Sequence, residues 1–486
     1  MYNEKIAPEA FTSRGTCVTM QSPSPVPAVA SAQRQAGLPT IGGRYFALMV
    51  VFSMNLLNYV DRYSFFAVGT HIQKDLHISH RGYGVLSAAF MIVYTTVSPL
   101  VGWLGDRYNR RGLLAFGVGL WSVATVGTAF SRGFNDLFFW RALLGVGEAS
   151  YGVIAPALLA DLFAPEHRGR VMGVYYLALP LGGALGYVLG GWVGDRWGWP
   201  AAFWVVGLPG LLAAVGGLLI DDPGRGASEG YHHAGKPDRP RLTDYRDLFR
   251  MPTFVFNTAG MATVTFATGA YAVWGSTFYQ TVRGMTSTLA GRWIGILTAA
   301  AGLLGIAVAT WLADFLLRFT RRAYLLMAGA AAVIAIPFSM SAILDPERVS
   351  SFAMLFVAMV LLASVLGPCN TVTANVVPPN QRAAGFALCI FLMHLFGDIS
   401  SPILIGVLSE LLAIPRIVRS PIGGFLDAIG ARPVGGTNLM AGMLSVIPVM
   451  LLGGLLFFRG SRHLIRDEER ARKLGGGGAT VGAGMH

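Results

Sequence analysis

Charged side chains are scarce in this sequence. Only 13% of the 486 residues are Asp, Glu, Lys or Arg, whereas 53% are apolar, and the mean hydropathy is +0.55. A soluble domain cannot hide that much apolar surface, so the lipid bilayer is the expected solvent. The formal net charge of +12 does not indicate a nucleic-acid partner, because the basic residues lie in short loops between apolar runs rather than on one patch.

Several kinds of functional motif are also missing. The three cysteines, Cys17, Cys369 and Cys389, form no paired motif, so neither a disulfide framework nor a zinc site is expected. Walker A, HExxH and GxSxG patterns are absent, which argues against direct use of ATP and against the common hydrolase sites. A membrane enzyme would need His or carboxylate residues clustered at one membrane face, and the sequence shows no such cluster. We therefore expect no enzyme activity, no cofactor and no metal.

Long apolar runs dominate what is present. A helix that crosses the bilayer needs roughly 20 apolar residues, and twelve runs of this kind can be marked. The sequence therefore predicts an all-α integral membrane protein with twelve transmembrane helices. The predicted spans, numbered in chain order, are Arg44–Thr70, Gly82–Gly105, Gly112–Phe130, Asn135–Ala160, Gly169–Gly194, Pro200–Ile220, Thr253–Val282, Trp293–Ala313, Ala323–Leu344, Ser351–Val377, Ala383–Ala413 and Asn438–Phe458.

The polar segments predict the organisation and the orientation of the chain. The expected parts are an N-terminal tail (1–43), a first six-helix bundle (44–220), a central loop (221–252), a second bundle (253–459) and a C-terminal tail (460–486). With the N-terminus inside, 25 of the 37 Lys and Arg residues fall in inner segments and 10 in outer ones. By the positive-inside rule, both tails are expected in the cytoplasm. The cell membrane is the default location because no sorting signal is visible, and the N-terminal tail does not read as a signal peptide.

The two halves repeat each other. Trp103–Asp106 followed by Arg110 resembles Trp311–Asp314 followed by Arg321, with an offset of 208 between the two Asp residues. Glycine and small-residue positions of span 5 recur in span 11 at an offset of 215. Landmarks that recur at nearly one spacing predict two pseudo-symmetric bundles around a central cavity, an arrangement that favours a carrier over a channel.

Four segments carry a resemblance to a known family. The loop after span 2 reads Gly102-x-x-Gly105-Asp106-Arg107-x-x-Arg110-Arg111, which resembles the signature of the major facilitator superfamily. The resemblance extends from about Arg44 to Phe458 and implies the major facilitator fold and a secondary carrier. Three further segments resemble its spinster branch, whose members are linked to sphingosine-1-phosphate and lysophospholipid transport. They are Asn58–Tyr63 in span 1, Arg141–Ala149 in span 4 and His394–Pro402 in span 11.

Of the charged residues within the predicted spans, four stand out: Asp61, Arg62, Arg141 and Glu148. A charge at bilayer depth costs at least about 2.5–3.5 kcal/mol, so each needs a partner or a water-filled cavity. Asp61 and Glu148 are the candidate protonatable carboxylates. Arg62 and Arg141 are expected to attract an anionic head group, and we expect Asp61 and Arg141 to pair when no substrate is bound. The alternative is a static ion pair that only sets the helix register.

The basic loop at the inner end of span 2 predicts a gate. In the family that the sequence resembles, the Asp of this motif faces span 11, and its Arg residues meet a carboxylate at the inner end of span 4. Such contacts are expected to close the inner side and to break when the cavity opens inward, although the loop also sets topology. The predicted gate residues are Asp106, Arg107, Arg110, Arg111, Asp161 and, as a degenerate second copy, Asp314.

Aromatic and polar side chains predict how the cavity is lined. Trp274 and Phe278 are four residues apart on one face of span 7 and are expected to form an apolar wall. The alternative is packing or lipid contact, which is commoner for aromatic stripes in membrane helices. Tyr59 of span 1 and Asn370 of span 10 are further candidates for substrate contact. His394 lies midway along span 11 and is a third candidate for proton coupling, because histidine is the side chain most often used to take up and release protons at physiological pH.

Span 5 carries the glycine series Gly173, Gly182, Gly186 and Gly190-Gly191. It resembles the antiporter motif of the same family, with Tyr187 where proline is usual. Repeated glycines also permit close helix packing, so a tight packing seam is the alternative.

Together these features predict a monomeric secondary carrier that works by alternating access in the lipid bilayer and is driven by protons. The expected substrate is an amphipathic anionic or zwitterionic lipid of the sphingosine-1-phosphate or lysophospholipid type. The alternative is a proton-coupled exporter of small organic anions or drugs.

Overall fold

The computed structural model describes residues 41–105, 108–163, 165–223, 246, 248–377 and 382–475. Within these ranges the chain is almost entirely helical. The helices that form the spans are Ile41–Ala67, His80–Gly105, Arg110–Thr128, Phe134–Leu162, Pro165–Trp197, Trp199–Leu218, Pro252–Thr281, Ser287–Leu317, Ala323–Leu344, Arg348–Val376, Arg382–Met393 with Ser400–Leu411 (span 11), and Leu439–Leu444 with Val446–Ser461 (span 12).

Nine of the helices in the described ranges are long and apolar enough to cross a membrane by length and composition. Spans 1, 3 and 7 do not reach this measure, because span 1 carries Asn and charged residues, span 3 begins with two arginines and span 7 is rich in threonine. Their polar groups lie inside the bundle, where Asn55, Asp61 and Thr125 are buried.

The predicted bounds differ most for span 8. The sequence places its start at Trp293, whereas the helix begins at Ser287 and continues to Leu317. The Thr286 hydroxyl accepts a hydrogen bond from the Leu289 amide and caps this early start. Polar residues of the first turn interrupt the apolar run, so hydropathy alone does not predict that this turn belongs to the helix. A serine or threonine cap satisfies the amides of such a turn.

The C-terminal tail contains a further helix, Leu464–Gly475, which follows span 12. Asp467 is buried, and its carboxylate accepts a hydrogen bond from the Thr253 amide at the start of span 7. The neighbouring Glu468 accepts a hydrogen bond from Asn375 of span 10 at 3.4 Å. Carboxylates are favourable at helix N-termini, so these contacts hold the tail helix against the second half.

We call the side at which the odd-numbered spans end the outer side, following the predicted orientation. One apolar core lies mainly in the first half. The other fills the second half and continues into the outer ends of spans 1, 2 and 5 through Phe65, Tyr83 and Tyr187. The two halves therefore share one packed core at the outer side, and the outer side is closed.

Candidate functional site

A polar cavity of about 210 Å³ lies between the halves and extends from mid-depth of span 1 toward the inner side. Spans 1, 2, 4 and 5 supply nearly all of its wall, and span 11 supplies one histidine. The lining residues are Asn55, Asn58, Tyr59, Arg62, Met91, Tyr94, Glu148, Tyr151, Gly152, Pro156, Tyr175, Tyr176 and His394.

An ion pair joins spans 1 and 4 at the wall of this cavity. An Arg62 Nη atom donates to a Glu148 carboxylate oxygen at 2.7 Å, and the Glu148 side chain is 1% exposed. The other carboxylate oxygen of Glu148 is buried without a hydrogen-bond partner. The Arg62 guanidinium also lies over the ring of Phe90 at 4.5 Å and over the ring of Tyr59 at 5.3 Å. Such an arrangement leaves an acceptor site free to take a proton or to share a donor.

Arg141 is a buried charge with no polar partner among the described residues. Its side chain is 1% exposed, and within that part of the chain none of its three guanidinium nitrogens has a hydrogen-bond partner. The guanidinium lies 4.2 Å from the centroid of the Phe65 ring and 5.3 Å from that of Phe90. Arg62 contacts the same Phe90 ring, and Arg141 is not among the residues that line the cavity. Cation–π contacts compensate only partly for the loss of hydration.

The expected pair of Asp61 and Arg141 is not formed in this structure. Asp61 is 1% exposed and instead accepts a hydrogen bond from the Thr125 hydroxyl of span 3 at 2.5 Å. Adjacent residues of a helix point about 100° apart, so Asp61 faces span 3 while Arg62 faces span 4. The charges of Arg141 and Glu148 still reach Asp61, so the four residues form one electrostatic cluster.

Span 11 is interrupted where it meets the cavity. Residues His394–Asp398 form one π-helical turn, in which the His394 carbonyl accepts from the Ile399 amide. The His394 ring nitrogen Nδ1 and an Asp398 carboxylate oxygen are 2.8 Å apart. A π turn inside a membrane helix commonly marks a functional position. His394 is therefore the one contribution of the second half to the described cavity wall, and Asp398 orients its ring.

Two residues expected to line the cavity lie elsewhere. Trp274 is 0% exposed, packs against the rings of His80 and Tyr83 and donates to the Pro402 carbonyl at 3.2 Å. Phe278 is buried one turn further out. Both are covered by the closed outer interface and form no part of the described cavity wall, so their contact with substrate stays a prediction.

Asn370 of span 10 is exposed but does not belong to the cavity wall. Its role in substrate contact stays a prediction.

The predicted gate is partly visible at the inner side. Arg110 donates to Asp161 at 2.5 Å and, through two nitrogens, to Asp222 at 2.6 and 3.2 Å. These bonds join spans 3 and 4 to the start of the central loop. That such contacts close the inner side and break when the cavity opens inward stays a prediction.

The remaining gate residues differ in what can be said of them. Arg111 is exposed, and only its backbone amide is bonded, to the Asn109 side chain. Asp106 and Arg107 lie outside the described residues, as does the side chain of Asp314. Their gate roles stay predictions.

Comparison with known proteins identifies the family. A model of the Major Facilitator Superfamily matches residues 51–402. The chain belongs to the Major Facilitator Superfamily. Within it the chain belongs to the spinster branch: the mouse protein named "Protein spinster homolog 1" is 33% identical over 470 residues, which cover 92% of this chain and 86% of that protein. The Drosophila melanogaster "Protein spinster" is 33% identical over 395 residues, and the match spans just under two thirds of its length, 64%, and 78% of this chain.

Solved structures show the same fold. A bacterial homologue of the human lysosomal transporter Spinster, in an inward-facing and unoccupied conformation, superposes with a TM-score of 0.77 at 22% identity, covering 88% of this chain and 99% of that one. The protein is thus a multi-pass membrane transporter of the spinster type for a small-molecule substrate, and its relatives are transporters rather than enzymes.

Three glycines of the span 5 series in this spinster-type transporter form a packing seam, whereas Gly173 has open space beside it. A Cβ atom at Gly182, Gly186 or Gly190 would meet the backbone of span 1. Tyr187, in the position where the antiporter motif has proline, is fully buried and donates its hydroxyl to the Ala272 carbonyl of span 7. Close packing of spans 1, 5 and 7 accounts for these residues without an antiport mechanism.

Sequence reasoning missed several residues of the transporter's cavity. Tyr94, Tyr151, Tyr175 and Tyr176 surround the Arg62–Glu148 pair, and Asp222 completes the Arg110 network. The tyrosines are scattered over three spans, so no local pattern joins them. Asp222 lies at the start of the central loop, where the sequence suggests only a linker.

Proposed function

We propose that the transporter moves an amphipathic anionic or zwitterionic lipid of the sphingosine-1-phosphate or lysophospholipid type by proton-coupled alternating access. The observation that carries this proposal is the position of Arg62, which lines the cavity and is bonded to a buried carboxylate at 2.7 Å. An arginine in that setting has two competing partners, the protein's own Glu148 and an anionic group of the substrate.

The exchange of partners supplies a coupling mechanism. When Glu148 takes up a proton at the oxygen that has no hydrogen-bond partner, the carboxylate loses its charge and Arg62 becomes available to a phosphate or carboxylate. When Glu148 releases the proton, it competes again for Arg62 and favours substrate release. The Glu148 side chain is 1% exposed. A buried charge that loses its partner is costly, so substrate binding at Arg62 and protonation of Glu148 are linked.

Asp61 and His394 are the other two candidates for carrying protons. Asp61 has one buried carboxylate oxygen without a hydrogen-bond partner, and it lies in the electrostatic cluster with Arg141 and Glu148. His394 reaches the cavity from the second half and is bonded to Asp398. We propose Glu148 as the principal site because it alone is bonded to a cavity-lining arginine.

Arg141 contributes to substrate attraction through its charge rather than by direct contact in this conformation. Its guanidinium contacts the Phe90 ring, lies outside the described cavity wall and has no hydrogen-bond partner among the described residues. We propose that an anionic head group uses both arginines in another stage of the cycle.

A second candidate, a proton-coupled carrier of small organic anions, is favoured by the cavity size. A volume of about 210 Å³ accommodates a head group but not an acyl chain. The lipid proposal therefore requires the chain to occupy space that opens below the cavity or between the halves. The exposed ring of Tyr176 at the rim would provide an apolar surface for such a chain.

A thermal-shift experiment tests the proposal. Purified protein is heated with lysophospholipids, sphingosine-1-phosphate or small organic anions, because a ligand that binds only the folded state raises its apparent stability. The variants are Arg62→Ala, Arg141→Ala and Glu148→Gln, with the exposed Arg111→Ala as the matched loss of charge. A shift by a lipid that persists in Arg111→Ala and disappears in Arg62→Ala supports the proposal. A shift by small anions alone replaces it with the second candidate.

Proton coupling needs its own measurement. Transport into proteoliposomes under an imposed pH gradient is expected to exceed transport without one, and Glu148→Gln is expected to bind substrate yet lose this dependence. Equal gradient dependence in Glu148→Gln would exclude Glu148 as the coupling site, and transport indifferent to the gradient in the unmodified protein would exclude proton coupling.

The cellular setting is also a proposal. We propose that a monomer acts in the cell membrane with both termini in the cytoplasm, on the basis of the arginine-rich inner segments. The structural neighbour is described as a homologue of a lysosomal transporter, which makes an intracellular membrane the alternative. Protease accessibility of the two termini in intact cells and in inverted vesicles distinguishes the orientations.

A further inference from the structure

The outer ends of the two halves are joined at a helix N-terminus of the second half. Thr288 is the second residue of span 8, and its amide donates to Asp195 of span 5 at 2.6 Å. The Thr288 hydroxyl donates to the same carboxylate oxygen at 2.6 Å. The other oxygen of Asp195 lies 3.3 Å from His71 Nε2 of its own half. A carboxylate of the first half therefore caps a helix of the second.

The same contact occurs with the halves exchanged. Arg81 is the second residue of span 2, and its amide donates to Glu410 of span 11 at 2.6 Å. Beside it, His80 and Ser409 are joined by a hydrogen bond of 2.9 Å. Here a carboxylate of the second half caps a helix of the first.

Each of these two helices is also capped by a hydroxyl side chain that directly precedes its first residue. The Ser79 hydroxyl accepts from the Gly82 amide at 3.2 Å, and the Thr286 hydroxyl accepts from the Leu289 amide at 3.2 Å. In each helix the local hydroxyl satisfies the third amide, and the opposite half satisfies the second. The first turn is thus completed only when the halves are together.

The residues that form the two contacts, and the glycines beside them, are separated by nearly the spacing of the internal repeat. Glu410 and Asp195 are 215 residues apart, and Thr288 and Arg81 are 207 apart. One turn before each carboxylate stands a glycine, Gly191 or Gly406, again 215 apart. A Cβ atom at Gly191 would meet the Ser287 carbonyl, and one at Gly406 would meet the His80 carbonyl. Glycine at these positions lets span 5 reach span 8, and span 11 reach span 2, closely enough for the carboxylates to bond.

We propose that Asp195 and Glu410 are the paired residues of an outer gate that closes by reciprocal helix capping. Each carboxylate lies on one half and holds the N-terminus of the other, so the two contacts form together when the outer side closes. Both break when the halves separate. They are positioning residues for the transport cycle, because they set the balance between outer-closed and outer-open states and contact no substrate.

Helix capping suits a gate for an energetic reason. When a cap is removed from an exposed helix N-terminus, water takes the place of the carboxylate. The loss therefore costs only about 0.5–2 kcal/mol. By the Boltzmann relation this corresponds to about a two- to thirtyfold change in an equilibrium, and typically fivefold for each cap. Two such contacts bias the gate toward closure without trapping it. A fully buried ion pair would bind the halves far more rigidly.

Labelling of a buried cysteine tests the gate directly. Ser276→Cys is the reporter, since Ser276 is 0% exposed and lies behind Gln280, which donates to the Ala67 carbonyl across the halves. The protein is held in nanodiscs with Cys17, Cys369 and Cys389 replaced by Ala, and the rate of maleimide labelling is measured. Asp195→Ala and Glu410→Ala are each expected to raise this rate about fivefold, and the double variant about 25-fold.

Three controls separate gating from other effects. Glu347→Ala removes a carboxylate that caps span 10 from within the second half, through the Val349 and Ser350 amides, and should leave the labelling rate unchanged. Arg81→Ala deletes a side chain but keeps the capped amide, and should also leave it unchanged. A cysteine at Ser339, 0% exposed inside the second half, should stay unlabelled in every gate variant.

The outcomes decide the proposal. Rates in Asp195→Ala and Glu410→Ala no higher than in Glu347→Ala would overturn it, as would labelling at position 339. Equal effects of Arg81→Ala and Glu410→Ala would show a side-chain ion pair and overturn reciprocal capping. If the alanine variants fail to fold, Asp195→Asn and Glu410→Gln keep an acceptor oxygen and should give a smaller increase. No substrate is added, so failure here leaves the substrate and proton proposals untouched.

Discussion

Spans 4 and 10 occupy equivalent positions in the two halves, yet only span 4 carries buried charges in its interior, Arg141 and Glu148. Both helices are 29 residues long, and their first residues are 214 apart. At that offset Arg141 corresponds to Leu355 and Glu148 to Leu362, and both leucines are buried. The helix is repeated in the second half, whereas its two buried charges are not. A symmetric fold can therefore place an ionic site in one half and leave its counterpart as apolar packing.

The outer interface behaves in the opposite way. Asp195 and Glu410 are both retained at equivalent positions, and each meets the N-terminus of the opposite half. A gate must act on both halves at once, so repeated contacts serve it. A substrate with one charged head group needs only one ionic site.

The largest expected effect comes from replacing Glu148 with leucine, the residue at the equivalent position 362 of the second half. Glu148→Leu leaves Arg62, whose side chain is 19% exposed, without its carboxylate partner, and we expect a loss of about 3 kcal/mol in the free energy of unfolding, the lower end of the range for a buried ion pair. Arg62→Leu combined with Glu148→Leu should recover much of this loss, because no charge then remains unpaired. Thermal unfolding in detergent with the two single variants completes the cycle. Additive losses in the double variant would contradict a direct interaction between the pair.

The inner networks of the halves should also differ. Arg110 is 5% exposed and bonds two carboxylates, whereas Arg321 lies 3.9 Å from Glu468 with its side chain 53% exposed. We expect Arg110→Ala to cost about 2–3 kcal/mol, since each charge-assisted hydrogen bond contributes about 1.5–3 kcal/mol. Arg321→Ala should cost less than about 1 kcal/mol. Equal unfolding midpoints for the two variants would show that burial of the Arg110 network contributes nothing.

Replacing Arg141 with leucine, the residue at the equivalent position 355, distinguishes a role in stability from a role in substrate binding. Arg141 is buried without hydrogen bonds, so we expect Arg141→Leu to leave stability unchanged or raise it by about 1–4 kcal/mol. Substrate binding should fall at the same time, because one of the two positive charges is lost. Unfolding and ligand binding are measured on the same preparation, with Arg141→Lys as the variant that keeps the charge. Destabilisation with binding intact would assign Arg141 to a structural role.

The smallest effect is expected at Thr125, the hydrogen-bond donor to Asp61. By the offset of 211 between Arg110 and Arg321, its counterpart in the second half is Ile336. Thr125→Val should cost about 1–2 kcal/mol, because a buried acceptor loses its partner while the shape is kept. Thr125→Ser retains the hydroxyl and should remain near the unmodified protein. An equal loss in both variants would show that packing of the methyl group, rather than the hydrogen bond, is what matters.

Much of the site was within reach of the sequence. Charged residues inside apolar runs are expensive, so Asp61, Arg62, Arg141 and Glu148 could be singled out, and the structure places all four in one cluster. Which of them pair could not be predicted. Asp61 and Arg62 are neighbours on one helix, and a small rotation of that helix decides which one meets span 4. The location of Trp274 was unpredictable for a related reason, since its neighbours depend on how the halves meet.

The sequence by itself determined the membrane solvent, the twelve spans, the internal repeat and the family, because each depends on local hydropathy, on spacing or on motifs along the chain. Only the tertiary structure decided the partner of Arg62, the burial of Arg141 against aromatic rings and the reciprocal caps at Asp195 and Glu410. The caps join residues 93 and 329 positions apart in the chain. Such contacts follow from the rotation of each helix and the approach of the two halves, which no local pattern encodes.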